Sequence, residues 1–288
     1  MNMGFNRFEA KMAAKNSMRR TRPNPLWVTL VFILLTTAVD GAVLRIVGDP
    51  FMDAAQYLAW GYSGKEVFQY VFLRDMGGVG FFLAVQTMLS LYGAIMGFGY
   101  TSYSLRLARG EQPSYRNLFD GFAKAGRVLW MNILTWVFIF LWEMLAVIPG
   151  AVLLAVAAFQ ESEILISLSI MLYVAGVIVG VMASYRYRLA PYFLLDDPGC
   201  TARQAISRSK VAMQGWKMEL FALDLSFFGW VLLGAFTMGI LYVWVNPYMA
   251  ATQANFYDYI SAGSGRQSGG YAGPDYGDGR FSDGPRPF

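Results

Sequence analysis

The feature that most constrains the fold is a series of long apolar runs, which begins at Leu26–Val47. An α-helix needs about 20 apolar residues to cross the ~30 Å hydrocarbon core of a bilayer, and this first run has 22. Further runs of comparable or greater length follow at 79–105, 128–159, 164–195 and 219–258. Only 15% of the 288 residues are charged, against about 25% in soluble proteins. The sequence therefore predicts an all-α integral membrane protein.

The last apolar run is about twice as long as one crossing, and Thr237-Met238-Gly239 lies near its middle. Because glycine weakens a helix interior, we interpret this run as two spans, 219–236 and 239–258, which makes six in all. The predicted parts of the chain are a basic segment at 1–25, a membrane domain at 26–260 and a disordered Gly-rich tail at 261–288.

The side-chain inventory excludes several kinds of site. The chain has no histidine, which excludes Ser-His-Asp and Cys-His catalysis and most zinc sites. Its one cysteine, Cys200, excludes a scaffold held by disulfides. We therefore predict no catalytic residue, no metal site and no cofactor.

Lysine and arginine gather on alternate loops. The basic segment 1–25 contains six of them, Arg7, Lys11, Lys15, Arg19, Arg20 and Arg22. The loops after the second and fourth spans are also rich in them, whereas 48–78 has two and 160–163 has none. The positive-inside rule then places both termini in the cytoplasm. The net charge of +4 therefore reflects a basic surface on the cytoplasmic side of the membrane. The expected partner is the lipid bilayer and not nucleic acid.

Two cytoplasmic loops are predicted to form amphipathic helices, called elbows here. Within Thr201–Lys217, cations fall on one face and apolar residues on the other, with Thr201 as the N-cap. The segment 114–127 repeats this pattern more weakly, and its predicted apolar face is Leu118, Phe119, Phe122 and Ala125. Either the elbows only pack on the bundle, or they also contact anionic lipid headgroups. The candidate headgroup contacts are Arg203, Lys210, Lys217 and Trp216.

A short internal repeat links the two halves of the chain. The segment 102–108 recurs at 184–190 with five identities in seven, each time between an apolar span and an elbow. This predicts a degenerate parallel repeat, which occurs in some transporters and in other bundles as well. Gly93-x-x-x-Gly97 and Gly176-x-x-x-Gly180 are predicted to let helices approach closely.

Ionisable side chains inside the spans are costly in lipid and are candidate functional groups. Asp40, Glu143 and Asn132 form the candidate intramembrane polar site, with either structural pairing or a polar pathway as its role. Asp224 lies about one turn inside the fifth span, where we predict structural ion pairing with Arg186 or Arg188, or a pairing with the elbow 201–217.

The C-terminal third carries a family resemblance. It contains, in order, Ala205-Ile206-Ser207-Arg208-Ser209, Met213-Gln214-Gly215-Trp216-Lys217 and the run from Leu220 to Trp230. With Leu118-Phe119-Asp120-Gly121-Phe122 and Ile148-Pro149-Gly150 before them, these motifs resemble the bacterial integral membrane family named domain of unknown function 975. The resemblance covers about 79–258 and implies a multi-span protein of the bacterial cell membrane, without an activity.

Three functional hypotheses follow. The leading one is a non-enzymatic membrane module with an accessory or organising role at the cytoplasmic leaflet. The first alternative is a small-solute or lipid transporter that uses Asp40 and Glu143, which would then converge on one water-accessible cavity. A membrane-embedded enzyme is the last alternative, since the sequence offers no recognisable catalytic motif. The sequence leaves the oligomeric state open.

Overall fold

The computed structural model describes residues 5–73, 76–160 and 162–267, and these residues form helices and no β-strand. The α-helices in this part of the chain are α1 Arg7–Arg20, α2 Pro25–Ile33, α3 Val39–Val47, α4 Pro50–Ala59, α5 Gly64–Val67, α6 Met76–Ala108, α7 Asp120–Ala123, α8 Ala125–Gln160, α9 Glu163–Ser184, α10 Ala190–Asp196, α11 Ala202–Ala212, α12 Lys217–Leu225, α13 Phe228–Phe236 and α14 Tyr242–Gln267. Short 3-10 helices occupy Tyr115–Phe119 and Tyr185–Tyr187, and π-helical turns occupy Leu34–Ala38 and Phe68–Leu73. The all-α prediction is confirmed.

Within the described ranges, five helical segments are long and apolar enough to cross a membrane. They are Pro25–Val47, Met76–Ala108, Ala125–Leu154, Glu163–Asp196 and Lys217–Phe236. Each begins within three residues of a predicted span. The start of the first segment shows why such starts are predictable from sequence. The Asn24 side chain accepts from the backbone N–H of Leu26, and Pro25 needs no hydrogen-bond partner at the first helical position.

The sixth predicted span, 239–258, lies on α14, which is not among these five segments. The reason is composition, because α14 carries polar residues such as Asn246, Gln253 and Asp258. Much of its surface is covered by protein: Ala251, Ala254 and Phe256 are fully buried. A helix enclosed by other helices needs little apolar surface for lipid, so its low hydropathy reflects its central position.

The segment Lys217–Phe236 and α14 form an antiparallel hairpin. Their turn contains Met238 and Gly239, with φ of 51° and 87°. Near the turn, the Tyr242 hydroxyl donates to the carbonyl oxygen of Val231 at 3.0 Å. Far from it, the Gln253 amide donates to Asp224 at 2.9 Å. The chain therefore reverses where the sequence predicted a break between two spans.

The membrane-length helices expose many large apolar side chains. On α8 and α9 these include Trp136, Phe140, Leu145, Ile164, Ile170 and Ile178. Soluble monomers rarely expose contiguous apolar patches larger than a few hundred Å². The exposed surface of these helices therefore fits a membrane protein.

The core, in contrast, lies at the end of the bundle where the lysine- and arginine-rich segments meet. Three clusters of buried residues form it, represented by Leu105, Leu189, Leu220 and Tyr257, by Phe98, Val128, Tyr187 and Ile206, and by Val28, Met96, Tyr103 and Ala251. A hydrogen bond of 2.8 Å between Thr29 and Tyr100 joins α2 to α6 at this end. We call this end the basic end.

Two loops differ from their predicted form. The segment 48–78 contains helices α4 and α5, because Asp49 and Ser63 cap their N-termini. In the segment 114–127, Leu118 is buried, and Phe119 and Phe122 are about half exposed, at 49% and 46%, with their ring centroids 6.2 Å apart. The predicted form assumed an α-helix with 3.6 residues per turn, whereas Tyr115–Phe119 is a 3-10 helix with three.

Of the two glycine motifs predicted to let helices approach closely, one makes a close contact within the protein and the other does not. Gly180 packs against Glu143, whose Cγ would lie 2.9 Å from a Cβ at this position. A Cβ at Gly93 or Gly97 would meet nothing within 4 Å. The close approach on α6 is instead at Gly99, where a Cβ would overlap the carbonyl oxygen of Leu118.

The last helix continues to Gln267, so the first seven residues of the predicted tail are helical. The rest of that predicted disordered tail, 268–288, lies outside the described residues.

Candidate functional site

The most extensively bonded polar group at the basic end is Arg109, directly after α6. Its Nη1 and Nη2 donate to both carboxylate oxygens of Asp196 at 2.7 and 2.9 Å. Its Nη2 also donates to Asp258 on α14 at 2.8 Å. Because Asp196 ends α10, one guanidinium ties the ends of α6 and α10 to α14. Such charge-assisted, bidentate bonds are among the strongest that side chains make.

Aromatic side chains complete this group. The Tyr257 hydroxyl donates to Asp196 Oδ2 at 2.7 Å, and its ring stacks on Tyr192 at 4.9 Å between centroids. Burial by itself would lower the pKa of Arg109, but the hydrogen bonds that it donates to Asp196 and Asp258 raise it above its ordinary value. Arg109 is therefore a fixed cation that holds two carboxylates. We call Arg109, Asp196, Asp258 and Tyr257 the arginine cluster.

The sequence interpretation did not identify this cluster. It counted Arg109 only among the cations of the loop after the second span. One signal was present: Asp258 is the only acid between Asp224 and Asp275. An isolated acid near the end of a predicted span needs a partner, and the basic loops were the nearest source of one.

The elbow 201–217 contains α11, which packs on the bundle through its small residues. Ala202, Ala205, Ile206, Ser209 and Ala212 are buried. The Thr201 hydroxyl accepts from the backbone N–H of Gln204, and the Gln204 side chain accepts from the N–H of Thr201, so the predicted N-cap is confirmed. Arg208 on this helix donates to Asp197 at 2.9 Å, and this bond lowers the pKa of Asp197.

Ser209 joins this elbow to the break between α9 and α10. Its hydroxyl donates to the carbonyl oxygen of Arg186 at 2.9 Å and accepts from the backbone N–H of Leu189 at 3.2 Å. These are groups that an uninterrupted helix would satisfy itself, and the 3-10 turn Tyr185–Tyr187 frees them. A buried serine thus replaces the helical hydrogen bonds at the break.

Asp224 is held by neutral donors in place of the predicted ion pairs. The Tyr185 hydroxyl and the Gln253 amide donate to its two oxygens at 3.0 and 2.9 Å. Arg186 instead lies 5.7 Å from the centre of the Trp142 ring, and the side chain of Arg188 is exposed. Tyr185 reaches Asp224 and its neighbour Arg186 does not, because the 3-10 turn points successive side chains in different directions from those in an α-helix. Asp224 therefore joins α12 to the end of α9 and to α14.

The contacts of the described residues bring no two members of the predicted intramembrane site together. Glu143 lies against Gly180, and the Asn132 amide donates to the carbonyl oxygen of Val128 on its own helix at 2.9 Å. Asp40 is half-buried on α3. Bonds between Leu35 and Tyr92 and between Thr29 and Tyr100 set an antiparallel register of α2 and α6.

The Gln86 side-chain oxygen is buried and has no hydrogen-bond partner among the described residues. A shared cavity for Asp40 and Glu143 stays a prediction.

The four candidate headgroup contacts are in different surroundings. Arg203 and Lys210 are exposed on α11. Trp216 and Lys217 are half-buried, and the Trp216 ring packs edge-on against Tyr259 at 5.7 Å. Arg203 and Lys210 are therefore the two most accessible to other molecules, although the Lys210 ammonium also lies 5.9 Å from the centre of the Phe138 ring.

Comparison with known proteins decides the family. A family model described as "Protein of unknown function (DUF975)" matches residues 1–264. The chain belongs to this family. No curated protein and no solved structure matches the chain.

The DUF975 match includes every element of the basic end, from α1 to most of α14. The arginine cluster, the elbow α11 and Asp224 are all inside it. No group of three or more acids or cysteines in the described part of this DUF975 protein could hold a metal ion.

Proposed function

We propose that this protein is a six-span protein of the bacterial cell membrane, with both termini in the cytoplasm. Its role is that of a non-enzymatic module that organises anionic lipids at the cytoplasmic leaflet. Its partners on this proposal are lipid headgroups that carry negative charge. The exposed cations of α11, Arg203 and Lys210, make these contacts.

One observation carries the proposal: the buried core and the bonded polar groups are concentrated at the basic end. The arginine cluster and Ser209 fix this end, while Arg203 and Lys210 on α11 project from it without a carboxylate partner among the described residues. A cation near an anionic membrane surface contributes about 1 kcal/mol of binding free energy. The protein thus combines a rigid support with free cations on the side that the positive-inside rule assigns to the cytoplasm.

The hairpin of Lys217–Phe236 and α14 supports the count of six crossings. Its turn lies at the end remote from the arginine cluster, so α14 runs back toward the basic end. Both termini then lie on one side.

The transport hypothesis is less well supported by these contacts. It requires Asp40 and Glu143 to line one cavity, and Glu143 packs on Gly180 of the neighbouring helix instead. Proton uptake into proteoliposomes that disappears in Glu143→Gln would favour transport over the organising role.

The proposed role is tested by the lipid shell of the protein in nanodiscs. Spin-labelled phosphatidylglycerol and phosphatidylcholine report how strongly the protein prefers the anionic lipid at its boundary. In the double variant Arg203→Gln, Lys210→Gln the preference for phosphatidylglycerol is expected to fall toward equality, because two exposed cations that form no ion pair in the described part of the chain are removed. The matched control is Lys65→Gln, an exposed cation of the opposite loop that stands beside Glu66. An unchanged preference in the double variant contradicts the proposal.

A further inference from the structure

A large groove opens between α1 and the hairpin of Lys217–Phe236 and α14. Its volume is about 1010 Å³, which is at the upper end of the range for sites of small ligands. One wall is α1 with the chain that leads into α2, and the other belongs to the two arms of the hairpin. The groove is partly open to the surroundings, so a ligand in it would also contact the medium around the protein.

The α1 wall is strongly cationic. Lys11, Lys15, Arg19 and Arg22 line it, and the lining contains no acidic residue. Among the described residues, no carboxylate forms an ion pair with any of these four side chains. Four positive charges therefore face one space without neutralisation.

The spacing of these cations adds to the argument. Lys11, Lys15 and Arg19 follow one another at four-residue intervals, which places them on one face of α1, and like charges at this spacing destabilise a helix. A neighbouring face of the helix is fixed, because Ala10 and Ala14 are buried. Burial lowers the pKa of Lys11, whose ammonium lies 4.3 Å from the centre of the Phe227 ring. An anion in the groove would relieve this repulsion.

The hairpin wall is apolar and aromatic. Trp230, Leu241 and Trp244 line it, and both tryptophans are about half exposed. Tryptophan is enriched where proteins meet the membrane interface, since its ring is apolar and its N–H is polar. A soluble anion would leave this wall uncovered, whereas an amphiphile would cover it and neutralise the cations as well.

We propose that the groove binds one anionic phospholipid of the cytoplasmic leaflet, with its phosphate at Lys15 and Arg19 and an acyl chain along Trp230, Leu241 and Trp244. This inference deepens the proposed function and rests on its assignment of the basic end to the cytoplasmic leaflet. The groove site differs from the contacts of α11, because it holds a single lipid between two walls.

The first test measures lipid binding by the full-length protein after removal of lipids in a neutral detergent. Native mass spectrometry with dioleoyl phosphatidylglycerol is expected to show one lipid that stays bound longer than the others. The double variant Lys15→Gln, Arg19→Gln is expected to bind it about 25-fold more weakly, at roughly fivefold for each cation removed. Arg20→Gln is the control, since Arg20 is the exposed neighbour of Arg19 and does not line the groove.

Comparison with the elbow variant separates the two proposals. Arg203→Gln, Lys210→Gln is expected to keep the tightly bound lipid, although it loses preference in the surrounding shell. If the groove variant binds as tightly as the unaltered protein, the groove site is overturned while the proposed function stands. If the elbow variant keeps the shell preference while the groove variant loses the tightly bound lipid, the proposed function fails and the groove site stands.

A second measurement uses unaltered cations, so it does not depend on how the charge variant folds. Phosphatidylglycerol with brominated acyl chains is expected to quench the tryptophan fluorescence of the protein, and Trp244→Phe to remove part of that quenching. Glycerol phosphate, which has the charge without the chains, is expected not to displace the lipid. Displacement at comparable concentrations, or equal quenching by brominated phosphatidylcholine, would show that the groove does not select an anionic lipid.

Discussion

At the scale of single residues, Arg109 carries the largest share of the bonding at the basic end. Arg109→Gln removes a cation that pairs with both Asp196 and Asp258. The three side chains keep 15–22% of their exposure, so we expect a loss of about 3 kcal/mol in the free energy of unfolding, the lower end for a broken buried pair. Thermal unfolding of the purified protein in detergent, followed by size-exclusion chromatography, measures it.

The matched control lies three residues earlier. Arg106 pairs with Glu111 at 3.6 Å, and both side chains are 49% exposed. Arg106→Gln is expected to cost less than about 1 kcal/mol, as for other exposed pairs. Equal losses in the two variants would mean that the arginine cluster adds nothing beyond an ordinary surface charge.

The partners of Arg109 explain why the cluster could not be predicted. Asp196 is 87 positions away along the chain, and Asp258 is 149. Spacing rules relate side chains on one helix, and they do not specify which helix ends meet in space. The same limit applies to Asp224: its need for a partner could be predicted, but the donors Tyr185 and Gln253 depend on the break in the fourth span and on the hairpin.

At the scale of elements, the close contact between α6 and the first elbow depends on two glycines. A Cβ at Gly99 would overlap the Leu118 carbonyl oxygen, and one at Gly121 would overlap that of Ile95. We expect Gly99→Ala to separate the two elements and to lower the yield of folded protein severalfold. Gly97→Ala is the control, because a Cβ there meets nothing within 4 Å. Fluorescence-detected chromatography of the tagged variants compares the yields.

If Gly97→Ala is also harmful, the seam predicted from Gly93-x-x-x-Gly97 is used for a contact outside this chain. If neither variant is harmful, the elbow can shift without loss, and the close approach is unimportant for folding.

The break in the fourth span is a second element-scale feature. Ser209→Ala removes both hydrogen bonds to the freed backbone groups of Arg186 and Leu189. Leaving these groups without partners is expected to cost about 1–3 kcal/mol of unfolding free energy. Ser207→Ala, on the exposed face of the same helix, is expected to change it by less than about 0.5 kcal/mol. Chemical unfolding in mixed detergent, followed by tryptophan fluorescence, distinguishes the two.

Element boundaries were the most predictable part of the fold, and the helix types of short elements the least. The apolar runs predicted the starts of five membrane-length segments within three residues because hydrophobicity and caps are local properties. The 3-10 helix Tyr115–Phe119 was not predicted, because five residues are too few to distinguish a period of three from one of 3.6. Helices α4 and α5 were missed since a loop was inferred from the lack of a long apolar run.

At the scale of the whole molecule, the decisive property is the uneven distribution of basic residues and buried core between its two ends. The buried core, the arginine cluster and the cationic α1 wall of the groove all lie at or near the basic end, and the turn between Lys217–Phe236 and α14 lies away from it. The opposite loop, 48–78, has only two basic residues, Lys65 and Arg74. Because the positive-inside rule depends on this asymmetry, a single orientation experiment bears on all the proposals.

Cysteine labelling tests this orientation. Cys200 is 1% exposed, and Cys200→Ala provides a background without an accessible thiol. In that background, a membrane-impermeant maleimide is expected to label Lys65→Cys in intact cells and Arg203→Cys only after lysis, since both positions are exposed in the fold. Labelling of Arg203→Cys in intact cells would reverse the orientation. The elbow cations and the groove would then face the outer leaflet, and the anionic lipids of the cytoplasmic leaflet would be out of reach of both.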